Sequence, residues 1–238
     1  MELKTRAIAI HAYPYGDTGR VIKVLSEEEG MISILLRSAG TKRSASRLVL
    51  FQPMNRLGLV LKSPKSSGLY MLKESWLDEP RPEWIHDPVR SCLSMFYAEA
   101  VLRSVSESDP DSDFFSFLWQ WMDITDVAPH HSDLPIRFLL ELGLHLGVSP
   151  QASESGDHFD LREGHFVLGT PRHPEFLEPE QAQLLRSFLS SSLEQHPGRG
   201  ASRASRLLLL EGLITYLQLH LEHFKGLRSL KVLEAIFD

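Results

Sequence analysis

The spacing of the apolar residues changes once along this chain, and that change limits the folds open to it. Up to about residue 77 they come in short runs, many of them β-branched. Ala7-Ile8-Ala9-Ile10 is followed by Val21-Ile22 with Val24-Leu25, and then by Met31-Ile32 with Ile34-Leu35-Leu36. Leu48-Val49-Leu50-Phe51, Leu57-Gly58-Leu59-Val60-Leu61 and Leu69-Tyr70-Met71-Leu72 come next. Turn-forming clusters separate the runs: Tyr13-Pro14-Tyr15-Gly16-Asp17, Glu27-Glu28-Glu29-Gly30, and the Ser-, Pro- and Lys-rich stretch 62–68. Such runs predict strands, with the second and third joined as a hairpin. From residue 88 onward the apolar residues recur at three and four instead, which predicts amphipathic helices.

Five or so short strands in under eighty residues leave no room for a βαβ crossover, so the first part is expected to close as a small barrel. An OB-fold and an SH3-like barrel both fit. Pro80, Pro82 and Pro88 set the boundary, because proline interrupts helix and sheet ladder alike. The division expected is 1–80 for the barrel and 81–238 for an α-helical domain. Asp87-Pro88 has the form of an N-cap followed by proline at the first helical position. Leu93, Phe96, Tyr97, Ala100 and Val101 then make one apolar stripe. Asp113 is placed to cap a helix holding Phe114, Phe117, Leu118, Trp121 and Met122. A third helix contains Phe138, Leu142 and Leu146 and stops at Gly147. Others are expected from Pro179 to Leu189, from about Ser202 to Phe224, and after Ser229. The helix from Ser202 is apolar on most sides and should be the buried one. Between helices, 150–177 breaks the pattern, and His158-Phe159-Asp160-Leu161 with His165-Phe166-Val167-Leu168 reads as a hairpin turning at Gly164.

Composition excludes several classes. The chain is 42% hydrophobic and 24% charged with 12 Phe and 4 Trp, which is enough to bury a core. Leu207 to Leu221 is the most apolar stretch, but it is too short to span a bilayer and contains Glu211, Thr215 and Gln218. No apolar run follows the basic residues at the start, so no secretory signal is expected there. The single cysteine, Cys92, rules out an internal disulfide and a multi-cysteine metal cage, and a reducing cytoplasm is the default compartment.

Charge is divided unevenly. Residues 1–73 hold 12 Lys and Arg against 5 Asp and Glu, or +7, while the rest carries −13 and the whole −6. A basic module on an acidic remainder points to a polyanion site on the basic part. Within it, Arg37, Lys42, Arg43 and Arg47 lie in eleven positions with Ser38, Ser44 and Ser46 and without an acid. That stretch suits phosphate, because each phosphate neutralised releases condensed counterions. Tyr13, Tyr15, Phe51 and Tyr70 fall in the same module, as core residues or as base-stacking platforms.

No catalytic constellation is present: no glycine-rich phosphate loop between strand and helix, no Gly-x-Ser-x-Gly elbow, no His-Glu-x-x-His pair. His158, His165 and His173 with Asp157 and Asp160 crowd the insert, yet their spacing matches no zinc pattern. Asp109, Asp111 and Asp113 mimic the start of a calcium loop, but Phe114 replaces its glycine and Gln120 its bidentate glutamate. No metal and no cofactor are expected.

A series of short motifs resembles the RecO family of bacterial recombinational-repair mediators. It starts with Ala7-Ile8-Ala9-Ile10, Tyr15-Gly16-Asp17 and Arg20-Val21, followed by Leu25-Ser26-Glu27-Glu28-Glu29-Gly30. Ala39-Gly40 with Lys42-Arg43-Ser44, Leu50-Phe51-Gln52-Pro53, and Phe96-Tyr97-Ala98-Glu99-Ala100-Val101-Leu102 continue it. Arg137-Phe138 before Leu142 and Leu146-Gly147, then His220-Leu221 before Leu227-Arg228-Ser229, complete the order. The resemblance implies an N-terminal five-stranded OB-fold, a C-terminal helical domain and an insert between helices. It also implies a non-enzymatic protein of the bacterial cytoplasm and nucleoid. Such a protein binds single- and double-stranded DNA, anneals complementary strands and, with RecR, helps place RecA on strands coated by single-stranded-DNA-binding protein. Many relatives carry four cysteines in the insert as a zinc ribbon; 150–177 has none, so a metal-free hairpin is expected in its place.

The mechanism expected is electrostatic. Arg37, Lys42, Arg43 and Arg47, with Arg20, Lys23 and Arg56 behind them, would line a trough for the phosphate backbone, which positions DNA without reading it. The family reading further suggests that the helical domain receives the acidic, apolar tail of the single-strand binder at Arg137 and Phe138, with Arg228 as a second basic residue. A plain interaction scaffold, whose basic barrel holds an acidic protein, is the rival class; a hydrolase with a scattered triad is a third.

Overall fold

The computed structural model describes residues 2–17, 19–36, 48–64, 68–81, 84, 86–105, 110–128 and 131–236. Two compact units divide it, Met1–Ile124 and Thr125–Asp238.

In the first unit five strands close into a barrel: β1 (Glu2–Tyr15), β2 (Gly19–Ser26), β3 (Gly30–Leu36), β4 (Arg56–Lys62) and β5 (Leu69–Leu77). Their order is β1-β2-β3-β5-β4, with β1 closing onto β4, and only the β3–β5 pair is parallel. This is the OB-fold order, and it settles the choice left open between the two small barrels. Alternation decides which side chains go inside. Ala7, Ala9, Ile22, Val24, Ile32, Ile34, Leu36, Leu57, Leu59 and Leu61 fill the interior. Each large apolar side chain among them contributes about 1.5–3 kcal/mol on burial. The β2–β3 hairpin forms as expected, and Gly30, at φ 66°, supplies the left-handed residue its turn requires.

Two elements differ from the sequence reading. β1 runs through Pro14 to Tyr15, and its turn is confined to the residues after Tyr15. The 48–51 segment is not a strand. Val49–Phe51 forms a single 3₁₀ turn, the buried Phe51 joins the barrel core, and the Asn55 side-chain amide donates to the Leu50 carbonyl at 2.9 Å. A barrel already closed by five strands has no free edge for a sixth, so the apolar run serves as a plug instead.

Among the described residues two long helices follow the barrel, the second continuing past Ile124. α1 (Pro88–Ser104) begins at Asp87, whose carboxylate accepts from the backbone N–H groups of Val89 (2.9 Å) and Arg90 (3.2 Å), and it packs on β1. α2 (Ser112–Val127) is capped by Asp111 rather than Asp113, because Asp111 accepts from the N–H groups of Asp113 and Phe114. Tyr97 and Trp121 meet edge to face at 6.1 Å between ring centres.

The second unit holds α3 (Leu134–His145), α4 (Pro179–Leu189), α5 (Arg203–His220) and α6 (Leu230–Ile236). α5 is the buried helix expected, packed against α3 and α4, though it ends at His220 rather than Phe224. The Ser202 hydroxyl caps it by accepting from the Ser205 N–H at 3.0 Å. Gly147, at φ 73°, closes α3 with Val148 N–H bonded back to the Gly143 carbonyl at 2.8 Å. The insert forms its hairpin, β6 (His158–Asp160) with β7 (His165–Val167), and adds a third strand, β8 (Phe176–Leu177), on the other side of β6. Arg186 of α4 clamps it: Nε donates to the Ser153 carbonyl (2.7 Å), Nη2 to that of Gly156 (2.6 Å), and the guanidinium lies 4.2 Å from the Phe166 ring centre. Among the described residues no group of three or more His, Cys, Asp or Glu is placed to hold a metal ion, and no helix is long and apolar enough to cross a membrane.

Candidate nucleic-acid interface

One outer surface of the barrel spans β1, β2, β3 and β5. In the register of the sheet, Tyr13 faces Val21, Val21 faces Leu35 and Leu35 faces Met71; one pair further along, His11 faces Lys23, Lys23 faces Ser33 and Ser33 faces Leu69. With Ile22, Val24, Ile32 and Ile34 inside, both rows turn to the outer side of the sheet, where His11 and Met71 are exposed and Val21 and Ser33 are covered. β1 would present the wrong residues if its alternation were unbroken, since Ala7 and Ala9 point inward. A bulge between Ala9 and His11 reverses the parity. It is held by the backbone of Ala9, which donates to the Asn55 carbonyl at 2.9 Å and accepts from Met54 N–H at 2.7 Å. His11 and Tyr13 are thereby placed outside, their rings stacked with centres 6.1 Å apart and planes 24° from parallel. Tyr15, 52% exposed, and Met71, 43% exposed, extend this surface. Sequence reading singled out Tyr13 and Tyr15 but not His11. The signal would have been the extra residue, Ile10, between two alternating runs.

Of the cations expected to line the trough, Arg37, Lys42, Arg43 and Arg47 lie outside the described residues. The remaining three separate clearly. Lys23 stands in the outer row between His11 and Ser33. Arg20 pairs across the sheet with Pro14 on one side and Leu36 on the other, so it stands beside the last described residue before segment 37–47. Arg56 does not belong to the surface. Its side chain is 1% exposed, it is ion-paired to Glu79 and, at 2.6 Å, to Asp123, it donates to the Trp119 carbonyl, and it lies 4.9 Å from the Trp119 ring centre. The first residue of β4 points at α2, and a guanidinium enclosed this way, its Nε buried without a partner, is closed to phosphate. Burial opposes the charge of Asp123, but the guanidinium groups of Arg56 and Arg81 outweigh it and hold the carboxyl below its usual range. Elsewhere on the barrel Arg6 pairs with Glu27, and Lys73 with Glu2. Of the cations behind the +7 charge of residues 1–73, Arg37, Lys42, Arg43, Arg47 and Lys65 fall in segments 37–47 and 65–67.

In the helical unit, Arg137 and Phe138 are not the exposed pair expected. Phe138 is fully buried in α3. Arg137 is buried too, with Nη2 donating to the carbonyls of Ser192 (2.7 Å) and Gln195 (2.8 Å), so it ties down the turn after α4; burial pushes its pKa down. The first turns of α3 are enclosed on all sides, Leu134 to Leu139 being buried, so both side chains turn inward there. Arg228 is exposed, two residues before α6. An apolar groove of about 90 Å³ runs between α3, α5 and α6, floored by Pro135, Ile136, Leu210 and Leu233 and rimmed by Arg203 and Arg206.

Residues 1–80 match the family model described as recombination protein O N terminal. Over 240 residues the chain is 30% identical to the DNA repair protein RecO of Phocaeicola vulgatus, covering 99% of each. It is 27% identical to the protein of that name from Bacteroides fragilis over 241 residues, again 99% of each, and 27% identical to the one from Porphyromonas gingivalis over 245 residues, the full length of both. A barrel of OB order at the N-terminus, helices after it and full-length similarity at this level agree: the chain belongs to the RecO family of DNA repair proteins.

Proposed function

We propose that this protein is a non-enzymatic recombination mediator of the bacterial cytoplasm and nucleoid. In this reading it binds single- and double-stranded DNA, anneals complementary strands and, with RecR, helps load RecA onto strands coated by single-stranded-DNA-binding protein. The observation that carries it is the barrel surface of His11, Tyr13, Lys23 and Met71, flanked by Arg20 and the root of the basic segment 37–47. Stacking faces combined with a cationic stretch of chain bind single strands with little regard to sequence, because every base has a π face and every nucleotide a phosphate. Annealing needs that indifference. Neutralising two backbones lowers the repulsion between them, and base pairing then supplies the drive.

The barrel, residues 1–80, is the DNA-binding module in this account, and Arg37, Lys42, Arg43 and Arg47 carry most of the phosphate contacts, with Arg20 and Lys23 beside them. The acidic, apolar tail of the single-strand binder docks on the helical unit. Its receptor is the groove between α3, α5 and α6, with Arg203, Arg206 and Arg228 for the acidic residues, in place of Arg137 and Phe138. The test is annealing of complementary oligonucleotides precoated with the cognate single-strand binder. Acceleration by the protein together with RecR supports the reading. Binding of acidic proteins with no annealing and no shift of oligonucleotides would make the barrel an interaction scaffold instead.

A further inference from the structure

Beside the apolar groove, and sharing Ser132 and Arg206 with it, is a second cavity of about 450 Å³. Ser132, Asp133, His196, Gly198, Arg199, Gly200 and Arg206 line it, without one apolar side chain. Its size falls in the range of pockets that take small ligands. The wall is organised around the turn His196–Gly200. Asp133 is buried, accepts from the Gly198 N–H at 3.3 Å and faces His196 Nδ1 at 3.5 Å, so its carboxylate is engaged in holding the turn. Gly198 is required there, since a Cβ would collide with that carboxylate. Arg206 is fixed from the other side, its Nη1 donating to the carbonyls of Gly198 (3.2 Å) and Ala201 (2.8 Å). Arg199, on the turn itself, is exposed. Two guanidinium groups thus face the cavity against one carboxylate, in a stretch with no acid between Glu194 and Glu211.

We propose that this cavity binds a backbone phosphate of a second DNA strand while the barrel holds the first. The inference rests on the annealing reading above. Peptide anchors need an apolar pocket, which the neighbouring groove offers and this cavity lacks. A wall of guanidinium, hydroxyl and glycine backbone recognises an anion with no side chain attached to it, as phosphate contacts do. Annealing gives such a site its use, because two polyanions must be held at once and one surface neutralises one of them.

The experiment compares full-length wild type with Arg199→Ala and with Arg172→Ala, which removes the same charge from an exposed position in the insert. Three quantities are measured: affinity for one labelled oligonucleotide, the annealing rate with its complement, and affinity for an acidic tail peptide. Arg199→Ala should keep the oligonucleotide affinity within about twofold and slow annealing about tenfold, the loss of one charge-assisted contact. Peptide binding should be unaffected, and Arg172→Ala should anneal at the wild-type rate. Annealing unchanged in Arg199→Ala overturns the proposal, as does an equal slowing in Arg172→Ala. Loss of peptide binding with annealing intact reassigns the cavity to the tail. Failure of the wild type itself to bind or anneal oligonucleotides rejects the functional reading first.

Discussion

Arg56 and Lys23 carry the same charge in the same barrel, and their surroundings differ. Arg56 opens β4 under α2, in contact with Trp119, Glu79 and Asp123, whereas Lys23 stands on the outer face of β2. Arg56→Ala is expected to lower the stability of the first unit by about 2–3 kcal/mol, the cost of hydrogen bonds to charged partners, softened because both carboxylates are half-exposed. Urea titration measures this, and oligonucleotide affinity of the folded variant should not change. A loss of DNA affinity at full stability would return Arg56 to the binding surface. At this scale the sequence could report that a cation is present but not which way it points. Arg56 and Arg137 both looked available, yet one lies under a helix and the other is bonded to carbonyls more than fifty positions away in the chain. Such enclosures come from tertiary packing and leave no local mark.

Strands and helices were more legible, because their periods follow from backbone geometry. Five strands, the hairpin at Gly30, the Asp87 cap and the buried α5 all follow from alternation, glycine and capping chemistry. The 48–51 run misled, being apolar enough for a strand but with no edge to join, and residues 13–15 read as a turn although β1 continues through them beyond its bulge. That bulge has a measurable consequence. If it presents a stacking platform, Tyr13→Ala should weaken single-strand binding by about 1–3 kcal/mol, with Tyr13→Phe close to wild type in fluorescence anisotropy. Equal affinity for all three would remove β1 from the interface. In the insert, Arg186→Ala should raise hydrogen exchange at amides of β6 and β7 and leave the barrel amides unaffected. Acid should act on the same element through Asp160. Burial disfavours its charge, but the N–H groups of Glu163 and Arg162 and the His173 imidazole outweigh burial, and its pKa is depressed. A depressed carboxyl stabilises the fold above its unfolded value, near 4, and that stability is lost as pH falls through the lower folded value. Near-ultraviolet or exchange measurements should therefore show the insert loosening below about pH 4 in wild type and much less pH dependence in Asp160→Asn.

Across the whole molecule, the division of charge is the feature that sequence alone conveyed best. A chain of −6 overall has a +7 stretch at its start, and most of that excess resides in segments 37–47 and 65–67 between barrel strands. Charge concentrated in two short stretches of sequence gives a polyanion a local target, while acidic residues further than about 10 Å are screened at moderate ionic strength. If this charge meets phosphate, binding must depend on salt through it. Single-strand affinity is measured by anisotropy from low to moderate salt for the wild type and for Lys42→Ala/Arg43→Ala/Arg47→Ala. Each phosphate contact contributes about 0.7 to the slope of log K against log salt, so the triple variant should lose affinity equally for all sequences and flatten the slope by about two. A slope and affinity identical to wild type would contradict the account.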